Sequence, residues 1–454
     1  MSNRLIHFAA RVLARISRFP PVQAWLRRLA LMLKQEQNAV PAAPGLEIPE
    51  TLAIAPRRDL AGHHTQRLNL LVPALSQQHL FGGIETALQV FSALSSHFEQ
   101  VRIVVTDEAV PQPRSDAYYG GWPILALADV PLHQNHIVAA GDRWNQTLAV
   151  HADDVFMATA WWTAHNGFSI LEWQQHQFPE SLSRKMLYLV QDYEPGFYAW
   201  STRYVLAQAT YAHCEQTVAI VNSQELAEYL EAQGHHFSQQ FVLHPRLHPR
   251  LAAMRNNCGQ FRKERTMLVY GRPGTERNAF IILIAALRMW AQAYGPAAQW
   301  QVVSAGESFP AIDLGAGCQL LSLGKMGIDE YADLLARSAV GMSLMISPHP
   351  SYPPLEMAAF GARTLTNRFA NKDLSRYSTY LTSVEQPSPE NLSLALTRLT
   401  ASFDAGTPES KVISRANIDW EGAFLAQTSQ PWEWASEAAQ AIGSAGPTNS
   451  LVPT

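Results

Sequence analysis

The sequence alternates, in two successive series, between short apolar runs and stretches with helical periodicity. The first series starts at Arg67–Leu75 (RLNLLVPAL), which lacks polar alternation, as expected for a strand buried on both faces of a parallel sheet. Gly82-Gly83, a helical stretch at Ile84–Phe98 and an apolar run at Val101–Thr106 follow. This strand–loop–helix–strand order is typical of a doubly wound α/β domain.

A second series of the same plan begins near residue 260. Thr266–Tyr270 is predicted to be a strand, Asn278–Tyr294 a long helix, and Trp300–Ser304, Gln319–Ser322 and Val340–Ile346 further strands. The two series predict an α/β protein with two Rossmann-like, doubly wound parallel-sheet domains facing each other. A chain of 454 residues is long enough for two such domains.

The segments between and beyond the two series set the predicted boundaries. Asn38–Gly62 contains prolines and no sustained periodicity, so we interpret it as a linker, and Phe241–Gly259 is the predicted hinge. Trp420–Ile442 is predicted to be helical and Gly443–Thr454 to be a disordered tail. The predicted units are a helical extension with its linker, two Rossmann-like domains, a C-terminal helix and a tail, at 1–62, 63–250, 260–415, 416–443 and 444–454.

Composition and charge exclude several classes of protein. Apolar residues make up 47% of the chain and charged residues 16%, and the net charge of −4 argues against a nucleic-acid-binding protein. Cys214, Cys258 and Cys318 form no metal-ligand pattern, and their odd, sparse number fits a reducing compartment. No apolar run approaches the roughly 18 residues needed to span a bilayer, and arginines interrupt any signal-peptide core. We therefore expect a cytoplasmic protein.

The first 40 residues are basic, whereas the remainder is acidic. They hold seven arginines or lysines and one glutamate, a charge of +6 in a chain of −4, which leaves −10 for the remainder. As a helix, this segment places Leu5, Ala9, Val12 and Ile16 on one stripe with arginines along its flank. Such a pattern is typical of a helix lying on an anionic membrane surface. A frayed leader, or a helix docked on the protein's own surface, is the alternative.

Two cations follow strands of the second series. Arg272 stands in YGRPG after Thr266–Tyr270, and Lys325 stands in LGKMG after Gln319–Ser322. Two cations at the ends of two strands of one sheet suit a diphosphate, to which each charge-assisted hydrogen bond contributes about 1.5–3 kcal/mol. For either residue alone, a solvated surface cation is the alternative.

Residues 343–369 (SLMISPHPSYPPLEMAAFGARTLTNRF) present an acid at a third strand end. A strand-like run ends in a Pro-rich loop, and Pro353 and Pro354 suit the first turn of a helix that carries Glu356. A carboxylate held there is able to accept hydrogen bonds from a ribose diol, as acids do in dinucleotide folds. An ordinary strand-to-helix turn is the alternative.

Gly, aromatic and titratable residues follow the strands of the first series. Gly82-Gly83 permits close approach of an anionic ligand to free N–H groups, although a plain tight turn explains it equally well. Asp192 and His165 are the titratable residues best placed for acid–base chemistry. Aromatic side chains nearby either wall a sugar acceptor or fill the core. These aromatic residues are Trp161, Trp162, Tyr193, Phe197, Tyr198 and Trp200.

Together these motifs resemble a known family. The segments LNLLVPALSQQHLFGGIETAL, TAWWTA, YLVQDYEPGFYAWSTRY, YGRPGTERNAF and SLMISPHPSYPPLEMAAFG span about residues 67–375. They are similar to GT-B glycosyltransferases of family 4, and most specifically to bacterial rhamnosyltransferases that build S-layer and other cell-surface glycans. The resemblance implies retaining transfer from a sugar nucleotide, without a metal, in the cleft between an N-terminal acceptor domain and a C-terminal donor domain. It also implies that the C-terminal helix crosses back toward the N-terminal half.

The resemblance implies roles for individual residues. Arg272 and Lys325 match the pair that holds the donor diphosphate, and Glu356 matches the second acid of the family's E-x7-E pattern, which binds the nucleotide ribose. Gly82 and Gly83 match the Gly-rich loop near the donor phosphate and the acceptor. The acceptor- or sugar-binding candidates are Trp161, Trp162, Thr163, Gln191, Asp192 and Tyr193.

Two positions depart from the family pattern. The first acid of E-x7-E would fall at Pro348, and the position where many members have a histidine that contacts the donor sugar near its C6 hydroxyl is Gln191. A 6-deoxy donor such as L-rhamnose lacks that hydroxyl and is compatible with the second departure.

The expected activity is transfer of a 6-deoxyhexose, L-rhamnose from dTDP-L-rhamnose, to a cell-surface glycan acceptor, for which a lipid-linked glycan is one candidate. The expected catalytic residues are Asp192, His165, Arg272 and Lys325. We expect no cofactor and no metal, and a peripheral contact with the membrane through residues 1–40. Alternatives are the same fold with a UDP- or GDP-sugar donor, or a non-catalytic sugar-nucleotide- or glycan-binding subunit. A Rossmann-type oxidoreductase is disfavoured because no G-x-G-x-x-G follows the first strand.

Overall fold

The computed structural model describes most of both predicted domains. The predicted N-terminal amphipathic helix, Gly82 and the predicted tail lie outside the described residues. Pro49–Thr51 forms one turn of 3-10 helix. The described ranges are 48–59, 66–75, 83–110, 119–180, 185–426 and 432–442.

The N-terminal half, which is the part of the chain up to residue 247, is built on an eight-stranded sheet in which every neighbouring pair is parallel. The strands of this half are β1 (Pro56–Arg58), β2 (Arg67–Val72), β3 (Gln100–Val105), β4 (Ile124–Ala126), β5 (His136–Ala139), β6 (Leu148–Val150), β7 (Asp154–Ala158), β8 (Met186–Val190), β9 (Thr217–Val221) and β10 (Gln239–Val242). Their order in the sheet is β10-β9-β8-β7-β2-β3-β5-β4, and β1 pairs separately with β6.

In the described part of the N-terminal half, four α-helices connect these strands and cover both faces of the sheet. Strand β2 is buried along its whole length, including Arg67, which pairs with Asp154, and Asn69, which donates to the Val155 carbonyl. Ser223 caps one of the helices by accepting a hydrogen bond from the Leu226 amide. The helices are α1 (Gly83–Ser95), α2 (Trp161–Gln177), α3 (Thr202–Thr210) and α4 (Gln224–Ala232).

The C-terminal half, from residue 248 onward, contains a seven-stranded sheet that is parallel except for one edge pair. Its strands are β11 (Gln260–Arg262), β12 (Glu264–Gly271), β13 (Gln301–Gly306), β14 (Ile312–Gly315), β15 (Cys318–Gly324), β16 (Ser338–Met342), β17 (Arg363–Asn367), β18 (Leu381–Val384) and β19 (Val412–Ser414). The order is β14-β15-β13-β12-β16-β17-β18, with β14 antiparallel, and β11 pairs separately with β19. The helices are α5 (Pro249–Asn257), α6 (Phe280–Ala293), α7 (Ile328–Arg337), α8 (Tyr352–Ala359), α9 (Pro389–Ala405) and α10 (Trp434–Ala441).

The stretch Phe241–Gly259, predicted to be an irregular hinge, is partly regular. Nine of its 19 residues, Pro249–Asn257, form helix α5, because Pro249 occupies the first helical turn and the His248 ring accepts a hydrogen bond from the Arg250 amide at 3.2 Å. The proline that indicated irregular chain therefore starts a helix. Only the short stretch 243–248 between β10 and α5 has no regular structure.

The C-terminal helix is shorter than its periodicity predicts. Instead of spanning Trp420–Ile442, α10 begins at Trp434. Ala435, Ala438 and Ile442 are buried in the same apolar cluster as α1, and the Trp434 ring lies 5.9 Å from the Phe241 ring of β10. Helix α10 thus packs in the core of the N-terminal half.

The predicted fold class is confirmed, since each half is a parallel sheet covered by helices. In each half, the first strand of the sheet in chain order, β2 or β12, lies between two later strands. The chain first adds strands on one side of it and then crosses back to add strands on the other side. These switch points lie between β2 and β7 and between β12 and β16. In open α/β sheets, ligands bind outside the carboxyl ends of the strands at such points.

Candidate active site

The residues expected to act lie at or after the carboxyl ends of strands in both sheets, some of them at the two switch points. Gly83 follows β2, Thr163 follows β7 and Gln191 follows β8, all in the N-terminal half. Arg272 follows β12, and the Pro-rich loop follows β16. The predicted residues are thus placed at the edges of the two sheets that bind ligands in this class of fold.

Asp192 joins the two halves at this point. Asp192 Oδ1 accepts a hydrogen bond from the backbone amide of its neighbour Tyr193 at 2.8 Å and another from the Ser347 hydroxyl. Asp192 Oδ2 forms an ion pair with the Arg277 guanidinium. The carboxylate is only 8% exposed. Arg277 and Ser347 belong to the C-terminal half, so Asp192 of the N-terminal half forms a direct contact between the two halves.

Arg277 and Ser347 were not predicted. The Arg277 guanidinium lies 3.8 Å from the centre of the Phe197 ring, so a cation–π contact and an ion pair hold it on the N-terminal half. The Arg277 carbonyl accepts a hydrogen bond from the Ile346 amide at 2.8 Å, which ties the loop after β12 to the loop after β16. Arg277 lies within the motif YGRPGTERNAF, but its spacing from the strand carried no sign of this contact.

Arg272 has a carboxylate partner that the sequence did not indicate. Its Nε lies 3.3 Å from Glu307 Oε1, directly after β13, and Glu307 also accepts from the Gly274 amide at 2.7 Å. The Arg272 amide donates to Asn278 Oδ1 at 2.7 Å. These bonds fix the loop, while the partly exposed guanidinium retains donors for an anion.

Lys325 and Glu356 lie at the predicted positions. Lys325 follows β15 and is exposed. Glu356 is on α8, where Pro353 and Pro354 occupy the first turn, and its Oε2 accepts from the Tyr331 hydroxyl at 2.9 Å. Burial raises the pKa of Glu356 to about 7, against the opposing effects of the Tyr331 bond and of His248.

Gln191 lies against the start of the first helix. A β-carbon at position 83 would be 2.6 Å from Gln191 Oε1, so a larger residue there would require the end of the Gln191 side chain to move. The Gln191 amide nitrogen donates to the Thr159 carbonyl at 3.0 Å. Gly83 therefore leaves room for Gln191 in this arrangement.

Two of the expected sugar contacts are internal. Trp161 is fully buried, and its ring nitrogen donates to the Tyr198 hydroxyl at 3.0 Å. Thr163 is also fully buried, and its hydroxyl accepts from the amides of Thr159 and Ala160 at 2.9 Å. Neither side chain reaches the surface, so packing and helix capping replace the expected sugar contact.

The other candidates of the N-terminal half, Trp162, Tyr193 and His165, have separate surroundings. Trp162 is half-buried and donates to Asp107 Oδ2 at 2.9 Å, whereas Tyr193 is buried against the rings of Tyr211 and Tyr229. Burial, aided by His213, lowers the pKa of His165. Within the described part of the chain, no hydrogen bond joins His165 to Asp192, so the two predicted acid–base residues do not form one unit.

A second contact between the halves lies beside the first. The Glu225 carboxylate of α4, only 1% exposed, accepts from Arg376 at 2.6 Å and from the Tyr377 hydroxyl. The Asn371 amide donates to the Glu225 carbonyl at 2.9 Å. These bonds lower the pKa of Glu225 against the effect of its burial. The halves are thus held together by two buried carboxylates, Asp192 and Glu225.

Two further properties concern the described residues alone. They contain no group of three or more His, Cys, Asp or Glu placed to hold a metal ion. Nor do they include a helix with both the length and the apolar character required to cross a bilayer.

Several proteins of known sequence or structure are similar to this chain. A stretch of 223 residues is 32% identical to the O-antigen biosynthesis protein RfbC of Myxococcus xanthus, covering 48% of this chain and 16% of that protein. The chain thus spans about a sixth of the length of this relative.

Among solved structures, sucrose-phosphate synthase from Thermosynechococcus elongatus matches with a TM-score of 0.46 and 14% identity, covering 83% of this chain and 94% of that one. WaaG, a glycosyltransferase involved in lipopolysaccharide biosynthesis, matches with a TM-score of 0.44 and 14% identity over 83% of this chain and 99% of that one. HepE from Anabaena, in complex with UDP and glucose, matches with a TM-score of 0.48 and 12% identity over 83% and 95%.

Two family models account for both sheets. Residues 67–224 match the WsaF N-terminal domain, and residues 265–397 match the WsaF C-terminal domain. Together the two matches cover more than half of the 454 residues, and the match to the N-terminal domain precedes the match to the C-terminal domain. The chain therefore belongs to the WsaF family, with that family's N-terminal domain on the eight-stranded sheet and its C-terminal domain on the seven-stranded sheet.

Proposed function

We propose that this protein is a retaining glycosyltransferase of cell-surface glycan synthesis, and that it transfers L-rhamnose from dTDP-L-rhamnose to a glycan acceptor. One observation carries the proposal. Arg272, Lys325 and Glu356 stand at three strand ends of the C-terminal sheet, next to the junction at which Asp192 of the N-terminal half is bound. Membership of the WsaF family and the O-antigen biosynthesis relative support the same class of activity.

In this proposal the C-terminal half binds the nucleotide. Arg272 and Lys325 hold the diphosphate, and Glu356 accepts hydrogen bonds from the ribose hydroxyls. As the bond between the sugar C1 and the diphosphate oxygen breaks, negative charge grows on the leaving diphosphate. The two cations stabilise that charge in the transition state more than in the ground state, which is what accelerates the reaction.

The acceptor hydroxyl approaches from the N-terminal half. Its oxygen forms the new bond to C1 on the face that the diphosphate leaves, and its proton passes to the departing diphosphate oxygen. This geometry retains the anomeric configuration and needs no separate nucleophile on the protein. Asp192, held by Arg277 and Ser347, orients the acceptor in the proposal, and His165 is the second candidate for that role.

The deciding experiment is incubation with dTDP-L-rhamnose and a set of synthetic rhamnosides, followed by NMR of the product. The expected result is a new rhamnoside with the anomeric configuration of the donor, formed equally well after treatment with EDTA. UDP- and GDP-sugars are the comparison donors. Inversion at C1, dependence on a divalent metal or faster transfer from a UDP- or GDP-sugar would each overturn the corresponding part of the proposal.

Arg272→Ala and Lys325→Ala test the diphosphate site. Each variant removes a charge-assisted contact and should weaken dTDP binding by about ten- to a hundred-fold, measured by calorimetry. Arg288→Ala, at an exposed arginine of α6, is the control and should bind dTDP like the wild type. Wild-type dTDP affinity in both site variants would contradict the assignment.

Membrane association is proposed on the sequence alone. The basic segment at 1–40 should bind anionic vesicles, whereas the chain without it should not. Co-sedimentation of both forms with vesicles of anionic and of neutral lipid tests this. Equal partitioning of the two forms would refute the role of the segment.

A further inference from the structure

Lys263 is a buried lysine between β11 and β12, at the start of the C-terminal sheet. The residue is 5% exposed. Burial lowers the pKa of Lys263 to about 7, and no carboxylate among the described residues acts against that effect. A buried ammonium group without a counter-charge is destabilising, whereas an apolar side chain would fill the same space without this penalty. The presence of a cation at this position therefore calls for a specific role.

The Lys263 ammonium group joins the C-terminal ends of two helices. Its Nζ donates to the Leu335 carbonyl in the last turn of α7 at 3.0 Å and to the Phe360 carbonyl directly after α8 at 2.7 Å. The last carbonyls of a helix have no partner within the helix, and a cation placed there also interacts favourably with the helix dipole. One side chain thus bonds both helix ends at once.

Arg255 of α5 makes a comparable contact at one of these two ends. Its Nε donates at 2.7 Å to the carbonyl of Ala359, the last residue of α8, and its side chain is also buried. Among the described residues, the Arg255 side chain bonds α8 alone, whereas Lys263 bonds α8 and α7 together. What distinguishes Lys263 is therefore the connection between the two helices.

The same two helices carry Glu356 and the group that orients it. The Tyr331 hydroxyl of α7 donates to Glu356 Oε2 of α8 at 2.9 Å. Burial raises the pKa of Tyr331, so its hydroxyl stays protonated and remains a donor. Tyr331 precedes Leu335, and Glu356 precedes Phe360, by about one helical turn. Lys263 thus holds each helix about one turn from the residue that takes part in this hydrogen bond.

We propose that Lys263 is a positioning residue for nucleotide binding, because it fixes the spacing of α7 and α8 and with it the hydrogen bond by which Tyr331 orients Glu356. The inference rests on the proposed function, in which Glu356 accepts hydrogen bonds from the ribose. Lys263 is buried and acts through the two helices, without touching the nucleotide. Hydrogen bonds from a charged donor are stronger than those from a neutral one, which suits a group that must hold two helix ends together.

A double-mutant cycle tests this connection. Lys263→Met removes the ammonium group and keeps the length of the side chain, and Tyr331→Phe removes only the hydroxyl that orients Glu356. Calorimetry on the full-length chain measures the affinity for dTDP and for UDP. We expect each single variant to weaken binding of the preferred nucleotide by about three- to ten-fold. The double variant should bind no more weakly than the weaker single variant, because both substitutions act through Glu356.

Arg255→Met is the matched control, since it removes a buried cation from the end of α8 without affecting a bond to α7. It should keep nucleotide affinity within about two-fold of wild type, and its effect should add to that of Tyr331→Phe. Unchanged affinity in either single variant of the cycle would overturn the inference. Additive effects of Lys263→Met and Tyr331→Phe, or an equal loss of affinity in Arg255→Met, would assign Lys263 a purely structural role and have the same result.

The outcomes separate this inference from the proposed function. If the wild type binds neither dTDP nor UDP, the proposed function fails and the inference fails with it. If the wild type binds one of them and the cycle shows no coupling, the inference fails alone. Urea unfolding establishes that each variant is folded. Should Lys263→Met not fold, Lys263→Gln, which keeps a donor for one of the two carbonyls, replaces it with the same expectations. If that variant does not fold either, Lys263 is needed for folding itself and the inference is overturned.

Discussion

Asp192 receives hydrogen bonds from both halves of the chain, from the Tyr193 amide on its own side and from Arg277 and Ser347 on the other. A nearly buried carboxylate requires such partners, because an unpaired charge in a low-dielectric environment is strongly destabilising. The position of Asp192 relative to the nucleotide site therefore depends on Arg277. The ion pair connects the geometry of the reaction to the arrangement of the halves.

Arg277→Ala should reduce transfer without weakening nucleotide binding. The variant leaves Asp192 charged, buried and poorly oriented, and we expect kcat to fall by about ten- to a hundred-fold while dTDP affinity stays within about two-fold of wild type. Steady-state kinetics and calorimetry measure the two quantities. Arg277→Lys, which keeps the charge but not the planar stacking on Phe197, should be intermediate. A parallel loss of dTDP affinity in Arg277→Ala would place Arg277 in the nucleotide site instead.

Glu356 should make nucleotide binding dependent on pH. Burial raises the pKa of its carboxyl to about 7, and only the carboxylate accepts two hydrogen bonds from a ribose diol. Affinity for dTDP should therefore increase as the pH rises from about 6 to about 8, across this pKa. Glu356→Gln removes the titrating group, so its residual pH dependence reports the phosphate and the other groups alone. The same pH dependence in both proteins would exclude Glu356 as the source.

The sequence could identify Arg272, Lys325 and Glu356 because each follows a predicted strand, and the ends of parallel strands share an edge. Arg277 and Ser347 could not be identified in this way. Their roles depend on contacts with Asp192, from which Arg277 is 85 and Ser347 155 residues distant in the chain. Glu307 was missed for the same reason, since its partner Arg272 is on the neighbouring strand of the sheet.

Helix α2 begins beneath the site, and its first turn depends on a buried acid. The Glu194 carboxylate accepts a hydrogen bond from the Trp161 amide, and the Thr163 hydroxyl accepts from the amides of Thr159 and Ala160. Ala160, the residue before the helix, has no side-chain oxygen with which to accept a hydrogen bond from these amides. The two internal residues of the TAWWTA motif therefore position the partly exposed Trp162.

Glu194→Ala should destabilise the protein by about 1–3 kcal/mol, since it leaves the Trp161 amide and the Tyr188 hydroxyl without their acceptor. Glu194→Gln should cost less. Burial raises the pKa of Glu194 to about 8 from an ordinary value near 4.5. Stability contributed by this group is therefore complete at low pH and is lost as the pH rises through about 8. Urea unfolding at several pH values would show a steeper decline in wild type than in Glu194→Gln, and equal slopes would contradict the assignment.

At the scale of elements, apolar runs located the central strands of both sheets, because those strands are buried on both faces. The strands between residues 124 and 150 were not predicted, since each has only three or four residues and lies toward the edge of its sheet or outside it. Helix α5 was missed within the predicted hinge because proline is compatible both with irregular chain and with the first turn of a helix, and the hydrogen bond of the His248 ring to the Arg250 amide is not visible in the sequence.

For the molecule as a whole, Glu225 should contribute to stability through partners on the other half. Arg376→Ala leaves this buried carboxylate with the Tyr377 hydroxyl and an incompletely paired charge, and should destabilise the protein by about 1–2 kcal/mol. Arg368→Ala is the matched control. Arg368 is similarly exposed but pairs with Asp373 within the C-terminal half, at the surface, so its loss should cost less than about 1 kcal/mol. Equal effects in urea unfolding would argue against a special role for the contact between the halves.

Helix α10 gives this molecule a property that its two sheets alone would not have. The chain leaves the N-terminal sheet after β10, builds the whole C-terminal sheet and then returns to bury Ala435, Ala438 and Ile442 in the first core. Cleavage within the short irregular stretch at 243–248 would therefore produce two fragments, and the C-terminal fragment would still supply part of the interior of the N-terminal one. The nicked protein should stay assembled, and its two pieces should separate only when the N-terminal core itself unfolds.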